Sequence, residues 1–496
     1  MSKLRSTFSL GIARLASMAI NVVSIPLYLN WVGDVQFGAV VLIQIVSTYC
    51  ILLGDGGLSF AVQHEAVHAA ETGDPERMAT LVDSHRIAMA AGGGLAFLAH
   101  VYLLLFVPIE GMATFGHKAA FVLFSGFAVF LFFIAQSYVT FLTTQDRFDS
   151  IASANLIASF FNTGVSLWLV YQFRHVWGYA VGSVISQAVL LAVLHRRAMA
   201  LGTFRALPRW DWSTYQTCLP FAKYTFVNNI GTSISWVDSM VLKGMFGQSQ
   251  LATYSNSSRI PLTISQVLPV SQVFQPEFAR AHARGSDDFH RTYLKNSLAT
   301  LTIGLGFLFV PTAFGREILK TWLGHNYSPE MFSMLVAAGI AYALSTAYST
   351  FAIAAFGAGK PKVVVPFIFF FGIGVATLSM PVAINFGLVG TMWLRAFLQI
   401  SQFFVLDWVM KRAILPELNL GALFAKKLLI TAVAGAVWGL GFAASSALHG
   451  RISEWTGVLT APLLVFIFLV VVGRTGLVEM PEKLRRFMPW AFPARK

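Results

Sequence analysis

The chain is a succession of long apolar runs that carry no formal charge, and this pattern decides what it can fold into. Residues 35–54, 119–145, 150–173 and 363–394 contain no Asp, Glu, Lys or Arg. A helix rises about 1.5 Å per residue, so roughly 20 such residues cross a hydrocarbon core of about 30 Å. Charged residues make up 11% of the 496-residue chain, less than half of the roughly 25% that a water-facing surface requires. A soluble multidomain enzyme, a disordered chain and a secreted disulfide scaffold are excluded. The two cysteines, Cys50 and Cys218, lie in apolar stretches and form neither a disulfide framework nor a metal-ligand cluster. The sequence predicts an all-α polytopic membrane protein.

Fourteen candidate spans lie near 8–32, 36–61, 87–108, 118–142, 151–173, 176–195, 214–244, 250–275, 296–314, 330–357, 363–385, 387–410, 427–448 and 455–473. The short outer turns of spans 5–6 and 11–12 leave the count between twelve and fourteen. The first run opens with Lys3, Arg5 and Arg14, as a signal peptide does. It lacks a small-x-small cleavage site and runs too long, so it counts as a span. An even count puts both termini on one side, and loops on that side hold most of the 35 basic residues, Lys426 and Lys427 among them. That asymmetry places both termini in the cytoplasm. The net charge of +13 is therefore a topology signal, and no nucleic-acid partner is needed to explain it. The basic tail, with Lys483, Arg485, Arg486, Arg495, Lys496, Trp490 and Phe492, reads as an interfacial anchor for anionic membrane lipid. His64, His68, His85 and His100 fall at expected cytoplasmic loops and helix ends and are expected to be solvated.

An internal repeat organises the spans. Glu65 precedes Gly73 after span 2 as Glu277 precedes Gly285 after span 8, at an offset of 212. Gly33-DVQF-Gly38 parallels Gly247-QSQL-Ala252, and Trp177-Gly178 parallels Phe386-Gly387. Two six-helix lobes related by a pseudo-two-fold along the membrane normal follow from this plan. The expected domains are an N-lobe (1–197), a cytoplasmic linker (198–212), a C-lobe (213–412), two extra C-terminal helices (413–475) and the tail (476–496).

Polar groups inside a span are costly and mark a wet interior. Arg14, Ser17, Asn21, Ser24 and Tyr28 recur at three- and four-residue spacing and share one face of span 1. Span 7 repeats the rhythm with Tyr224, Asn228, Gly231, Ser235 and Asp238, with Trp236 beside it. Span 8 adds Arg259, and span 12 adds Arg395, Gln399 and Gln402. The deep charges are cationic: Lys223, Arg259 and Arg395, with Arg14 nearer the cytoplasm. Such a chamber suits an anionic cargo, and the forked guanidinium suits phosphate. The acids Asp55, Asp238 and Asp407 fall nearer span ends. Asp55 and Asp238 are candidate coupling or structural acids, and Asp407 is expected to pair with Lys411 on its own helix. Prolines at 26, 220, 261, 269, 276 and 366 mark places where paired spans can bend. No phosphate-binding loop, zinc motif or nucleophile elbow is present, so neither a cofactor nor an enzymatic activity is expected.

Pro26-LYLNWVG leading into Asp34-VQF, Asp55-GGLSFAVQHEA, Trp236-VDSMVLKGMFG, Leu251-ATYSNSSRI and Phe356-GAGKPK together resemble the polysaccharide-transport members of the multidrug/oligosaccharidyl-lipid/polysaccharide (MOP) flippase superfamily, the Wzx-type and MurJ-type exporters. The resemblance implies a V-shaped bundle. It implies flipping of an undecaprenyl-diphosphate-linked oligosaccharide across the bacterial inner membrane for surface polysaccharide or O-antigen synthesis. A monomer working beside polysaccharide polymerase machinery is the expected setting. Arg259 matches the family's Tyr-x-x-x-x-Arg pattern with Tyr254 and would bind the diphosphate, with Arg14, Lys223 and Arg395 added by position. The alternative is a cation-coupled multidrug exporter. That branch commonly carries an acid in span 1, and residues 8–32 have none. A membrane-embedded polymerase or ligase would need large outer loops, which the chain lacks.

Overall fold

The computed structural model describes residues 2–112, 115–145, 147–201, 207–267, 277–278, 281–282, 284–358, 360–448, 454–475 and 478. Every regular element among them is helical. Nine helical stretches among the described residues are long and apolar enough to cross a membrane. Several of the fourteen expected spans are arms of one continuous element. Helix α1 (Ser2–Gly54) contains spans 1 and 2 and is broken at Gly33, at φ 77° and ψ 171°. Residues 28 and 37 would lie about 13 Å apart along a straight helix. The rings of Tyr28 and Phe37 are 6.4 Å apart instead, because the chain doubles back at Gly33. Gly247, the repeat counterpart of Gly33, has nearly the same backbone, at φ 83° and ψ −179°. A side chain is strained at positive φ, so glycine marks this tip in both halves.

The chain divides into two compact units, Met1–Thr253 with Ile368–Ala376, and Tyr254–Phe367 with Thr377–Lys496. In the first unit α1 is followed by α2 (Leu58–Glu71), α3 (Pro75–Phe106), α4 (Phe115–Thr144), α5 (Phe148–Phe173) and α6 (Trp177–Met199). Helix α3 starts where the local chemistry dictates. Asp74 caps it by accepting from the Arg77 amide at 2.9 Å, Pro75 opens the first turn, and Glu76 faces the positive helix end. This start lies well before the span expected from residue 87, and it corrects the reading of two histidines. His85 and His100 are fully buried inside α3. His100 Nε2 lies 2.8 Å from the Ser125 hydroxyl, and His85 Nε2 lies 3.5 Å from the Thr140 hydroxyl, both on α4. The side chains of His64 and His68 lie outside the described residues.

Span 7 packs with the first unit. It comprises α7 (Trp212–Gln216), α8 (Leu219–Ile234) and the first arm of α9 (Val237–Val267). The contacts explain the grouping. Gly57 lets α8 approach so closely that a Cβ there would collide with the Ala222 carbonyl and the Phe226 amide. Asn229 Nδ2 donates to the Leu52 carbonyl at 3.0 Å. Pro220 sits in the first turn of α8, where it bends nothing, whereas Pro26 and Pro261 lie inside α1 and α9. Pro269 and Pro276 lie outside the described residues.

In the second unit span 9 is irregular. It runs as α10 (Ser286–Gly304), a π-helical turn (Leu305–Phe309), a 3-10 turn (Val310–Phe314) and α11 (Gly315–Leu323). Pro311 has no amide hydrogen and its ring crowds the carbonyl four residues back, so a regular ladder cannot pass through it. The unit continues with α12 (Glu330–Gly357), α13 (Val365–Ala413, of which 368–376 belongs to the first unit), α14 (Leu420–Leu448) and α15 (Glu454–Arg474). Helix α13 holds spans 11 and 12 and kinks at Gly387. Helices α14 and α15 pack on the irregular part of span 9. Trp438 Nε1 donates to the Thr312 hydroxyl at 3.0 Å, and Gly306 makes room for the ring of Phe468.

Candidate substrate-binding site

The residues expected to line a chamber divide between the two units. In the second unit Arg395, Gln399 and Gln402 follow at spacings of four and three along α13, which puts them on one helical face. Arg395 and Gln399 are each 9% exposed. Gln402 is buried and its Nε2 donates to the Phe367 carbonyl at 2.6 Å, which fixes the rotation of this face. Arg259 lies on the second arm of α9, half-buried, two residues before Pro261. The run Tyr254-SNSS-Arg259 is polar throughout. It contains Asn256, which is buried with an Oδ1 that has no hydrogen-bond partner. Nothing in the sequence pattern singled out Asn256 beyond its place in that run. A guanidinium presents several donors in a fixed planar fork, and phosphate oxygens match them bidentately.

In the first unit Tyr28 is buried against neighbours from other helices. Its ring meets Tyr179 edge-on at 6.0 Å, and Gln44 Nε2 donates to the Tyr179 hydroxyl at 2.7 Å. Tyr28, Tyr179 and Gln44 meet here as uncharged groups. Asn228 and Trp236 are half-buried on α8 and at the break that follows it. Lys223 stands at the fifth residue of α8, about 6 Å from its start, and is exposed, with Nζ over the ring of Tyr224 at 5.0 Å. Arg14 and Asn21 belong to α1, but their side chains lie outside the described residues.

The acids are engaged in backbone architecture. Asp55 sits at the break between α1 and α2, where it accepts from the Ser59 hydroxyl and, at 3.4 Å, from the Ser59 amide. Asp238 is buried at the start of α9 and accepts from the Ser239 amide at 2.7 Å. Lys243 on the same arm of α9 donates to the Pro108 carbonyl at 2.8 Å. Asp407 does not rely on Lys411. Its oxygens are taken by Tyr293 and Lys427, the latter a residue counted above with the cytoplasmic loops. Among the described residues no group of three or more His, Cys, Asp or Glu is placed to hold a metal ion.

Comparison with known proteins bears on the fold and the family. Among solved structures the chain is similar to the lipid II flippase MurJ in an inward closed conformation. The TM-score is 0.65 and the identity 12%, over 95% of this chain and 99% of that one. It is similar to an outward-facing multidrug resistance transporter of the MATE family, with a TM-score of 0.60 and 13% identity over 85% of this chain and 97% of that one. A MOP superfamily transporter from Pyrococcus furiosus, described as having a binding pocket of reverse polarity, matches with a TM-score of 0.60 and 13% identity, over 85% and 96%. No curated protein matches the sequence. At these identities the structures establish a shared fold, that of a multi-pass helical membrane protein. The model of the polysaccharide biosynthesis protein family matches residues 32–333, more than half of the chain. The superfamily resemblance carried by the sequence motifs thus holds, and the chain belongs to the polysaccharide biosynthesis protein family.

Proposed function

We propose that the protein flips a polyprenyl-diphosphate-linked oligosaccharide from the inner to the outer leaflet of the bacterial inner membrane, with both termini in the cytoplasm. The lobes 1–197 and 213–412, joined by 198–212, alternate the access of a central chamber. The observation that carries this reading is the pair of arginines set within the second unit, Arg395 at 9% exposure and Arg259 half-buried, in a member of a polysaccharide biosynthesis family. Arginines inside membrane spans commonly mark a substrate path, and a guanidinium matches the phosphate oxygens of a diphosphate through charge-assisted hydrogen bonds. The structurally similar MurJ is described as a lipid II flippase, which supports a lipid-linked cargo. The engagement of Asp55 and Asp238 at helix starts speaks against their use as coupling carboxylates in a drug–cation antiporter. The tail's contact with anionic lipid, a monomeric state and association with polymerase machinery complete the proposal.

The test is complementation of a strain lacking its own flippase. Arg259→Ala and Arg395→Ala variants are each expected to lower surface polysaccharide at least tenfold, on the order of 1.4 kcal/mol or more of lost cargo binding. Membrane abundance should be unchanged. Full export by the double variant would exclude the site. Dye efflux that depends on Asp55 or Asp238 would favour the multidrug reading instead.

A further inference from the structure

The second unit holds an ionised cluster that the chamber does not use. Lys427 of α14 donates to Asp407 Oδ2 of α13 at 2.6 Å, and the Tyr293 hydroxyl of α10 donates to Asp407 Oδ1 at 2.7 Å. The two charged side chains are 4% and 0% exposed. The ammonium also lies over the ring of Phe403, at 5.1 Å. Three helices thus meet at one carboxylate, and both of its oxygens are occupied.

The repeat shows what is particular about this place. On the sixth span the offset of 209 that matches Gly178 with Gly387 matches Asp407 with Ala198, about one helical turn beyond His195. His195 stands near the end of α6, and its Nδ1 is 3.1 Å from the hydroxyl of Tyr138 on α4. Both halves therefore set a titratable residue on the sixth span against a tyrosine hydroxyl of a neighbouring span. In the first half that residue is exposed. In the second half α14, a helix outside the repeat, covers it and brings a lysine.

We propose that the Tyr293–Asp407–Lys427 cluster is the docking joint by which the two helices outside the repeat attach to the second half, fixing the register of α14 against α13 and α10. Lipid tails are as apolar as leucine, so helices in a bilayer gain little from hiding apolar faces against each other. Packing and polar contacts decide which faces meet and at what height. A buried ion pair contributes little net stability compared with an apolar replacement, but it penalises any arrangement that strands one charge, and register is its best-attested use. One turn of slippage of α14, about 5.4 Å, would leave both Asp407 and Lys427 uncompensated in the interior. The pair α14–α15 therefore moves with the second half and is not an independent lid.

Hydrogen exchange on the purified full-length protein in detergent tests this without reference to cargo. Asp407→Asn and Lys427→Met, taken singly, are expected to speed exchange across 420–448 by roughly tenfold or more, with α3–α6 unchanged, because each strands its partner. Tyr293→Phe should have a smaller effect. The exchanged pair, Asp407→Lys with Lys427→Asp, and the neutral pair, Asp407→Asn with Lys427→Met, should each return exchange to within roughly threefold of the wild type. Single variants that leave 420–448 protected would overturn the joint. So would paired variants no better protected than the worse single one.

Discussion

At the scale of single residues, hydrogen bonding explains the acids better than charge does. Asp55, Asp74, Asp211 and Asp238 all stand at or beside helix starts and accept from nearby amides, where unsatisfied donors and the helix dipole favour a carboxylate. Asp211 makes a pH prediction possible because it lies on the linker side of α7. Its carboxylate accepts from the Thr214 hydroxyl at 2.5 Å and from the Ser213 hydroxyl at 2.7 Å, and these bonds hold its pKa below the ordinary carboxylate value. A depressed folded pKa means stability that is present above the unfolded value of about 3.9 and lost as pH falls through the folded one. The difference in thermal stability between wild type and Asp211→Ala should therefore be flat from about pH 5 to 8 and shrink below about pH 4. A difference that grows on acidification would contradict the cap. Residue identity was a fair guide where side chain and backbone are local, as at Asp74. It failed for Lys427, whose place beside Lys426 at a span end resembles any cytoplasmic lysine. Its burial depends on Asp407, twenty positions away, and no local pattern reports that.

At the scale of elements, apolar run length located the helices and glycine located their breaks. Spans 1–2 and 7–8 were legible because Gly33 and Gly247 punctuate both tips. The irregular course of span 9 was not, since a π turn and a 3-10 turn bury the same apolar residues as an α-helix would. A close helix approach in the first unit is equally invisible in composition. Gly57 belongs to an Asp-Gly-Gly break, which reads as a turn, yet its lack of a side chain admits the backbone of α8. Gly57→Val should then force the two backbones apart and destabilise the protein by about 1–3 kcal/mol, seen as a lowered midpoint in thermal unfolding. Gly94→Val is the control, because a Cβ at Gly94 meets nothing within 4 Å, and its midpoint should stay within a degree or so of the wild type, a change of roughly 0.5 kcal/mol or less.

At the scale of the molecule, the helical class was written in the apolar runs and the turning points in glycine, whereas the packing of the polar faces was not legible. Periodicity put Tyr28 and Arg395 on polar faces alike. Only packing shows that the tyrosine is set edge-on against Tyr179 while the arginine lies on the buried face of α13 with Gln399 and Gln402. The same packing shows how the Gly33 and Gly247 tips are fastened together within the first unit, and so how the proposed alternating access can be arrested. Ser249, just past the Gly247 tip, donates to Asp34, just past the Gly33 tip. Gly38 meets the backbone of Gln248, whose side chain reaches the Glu110 amide, and Lys243 donates to the Pro108 carbonyl. These contacts tie the tips of spans 1–2 and 7–8 together, and a transporter that releases cargo outward must part them. A disulfide between cysteines at 34 and 249 would hold them shut. With Asp34→Cys and Ser249→Cys combined, oxidation should stop export of surface polysaccharide, and reduction should restore it within roughly twofold, since a closed crosslink removes the outward state from the cycle. Each single cysteine should export normally under both conditions. Export that continues with the crosslink fully formed would mean that these tips stay together throughout transport, and that cargo leaves by another route.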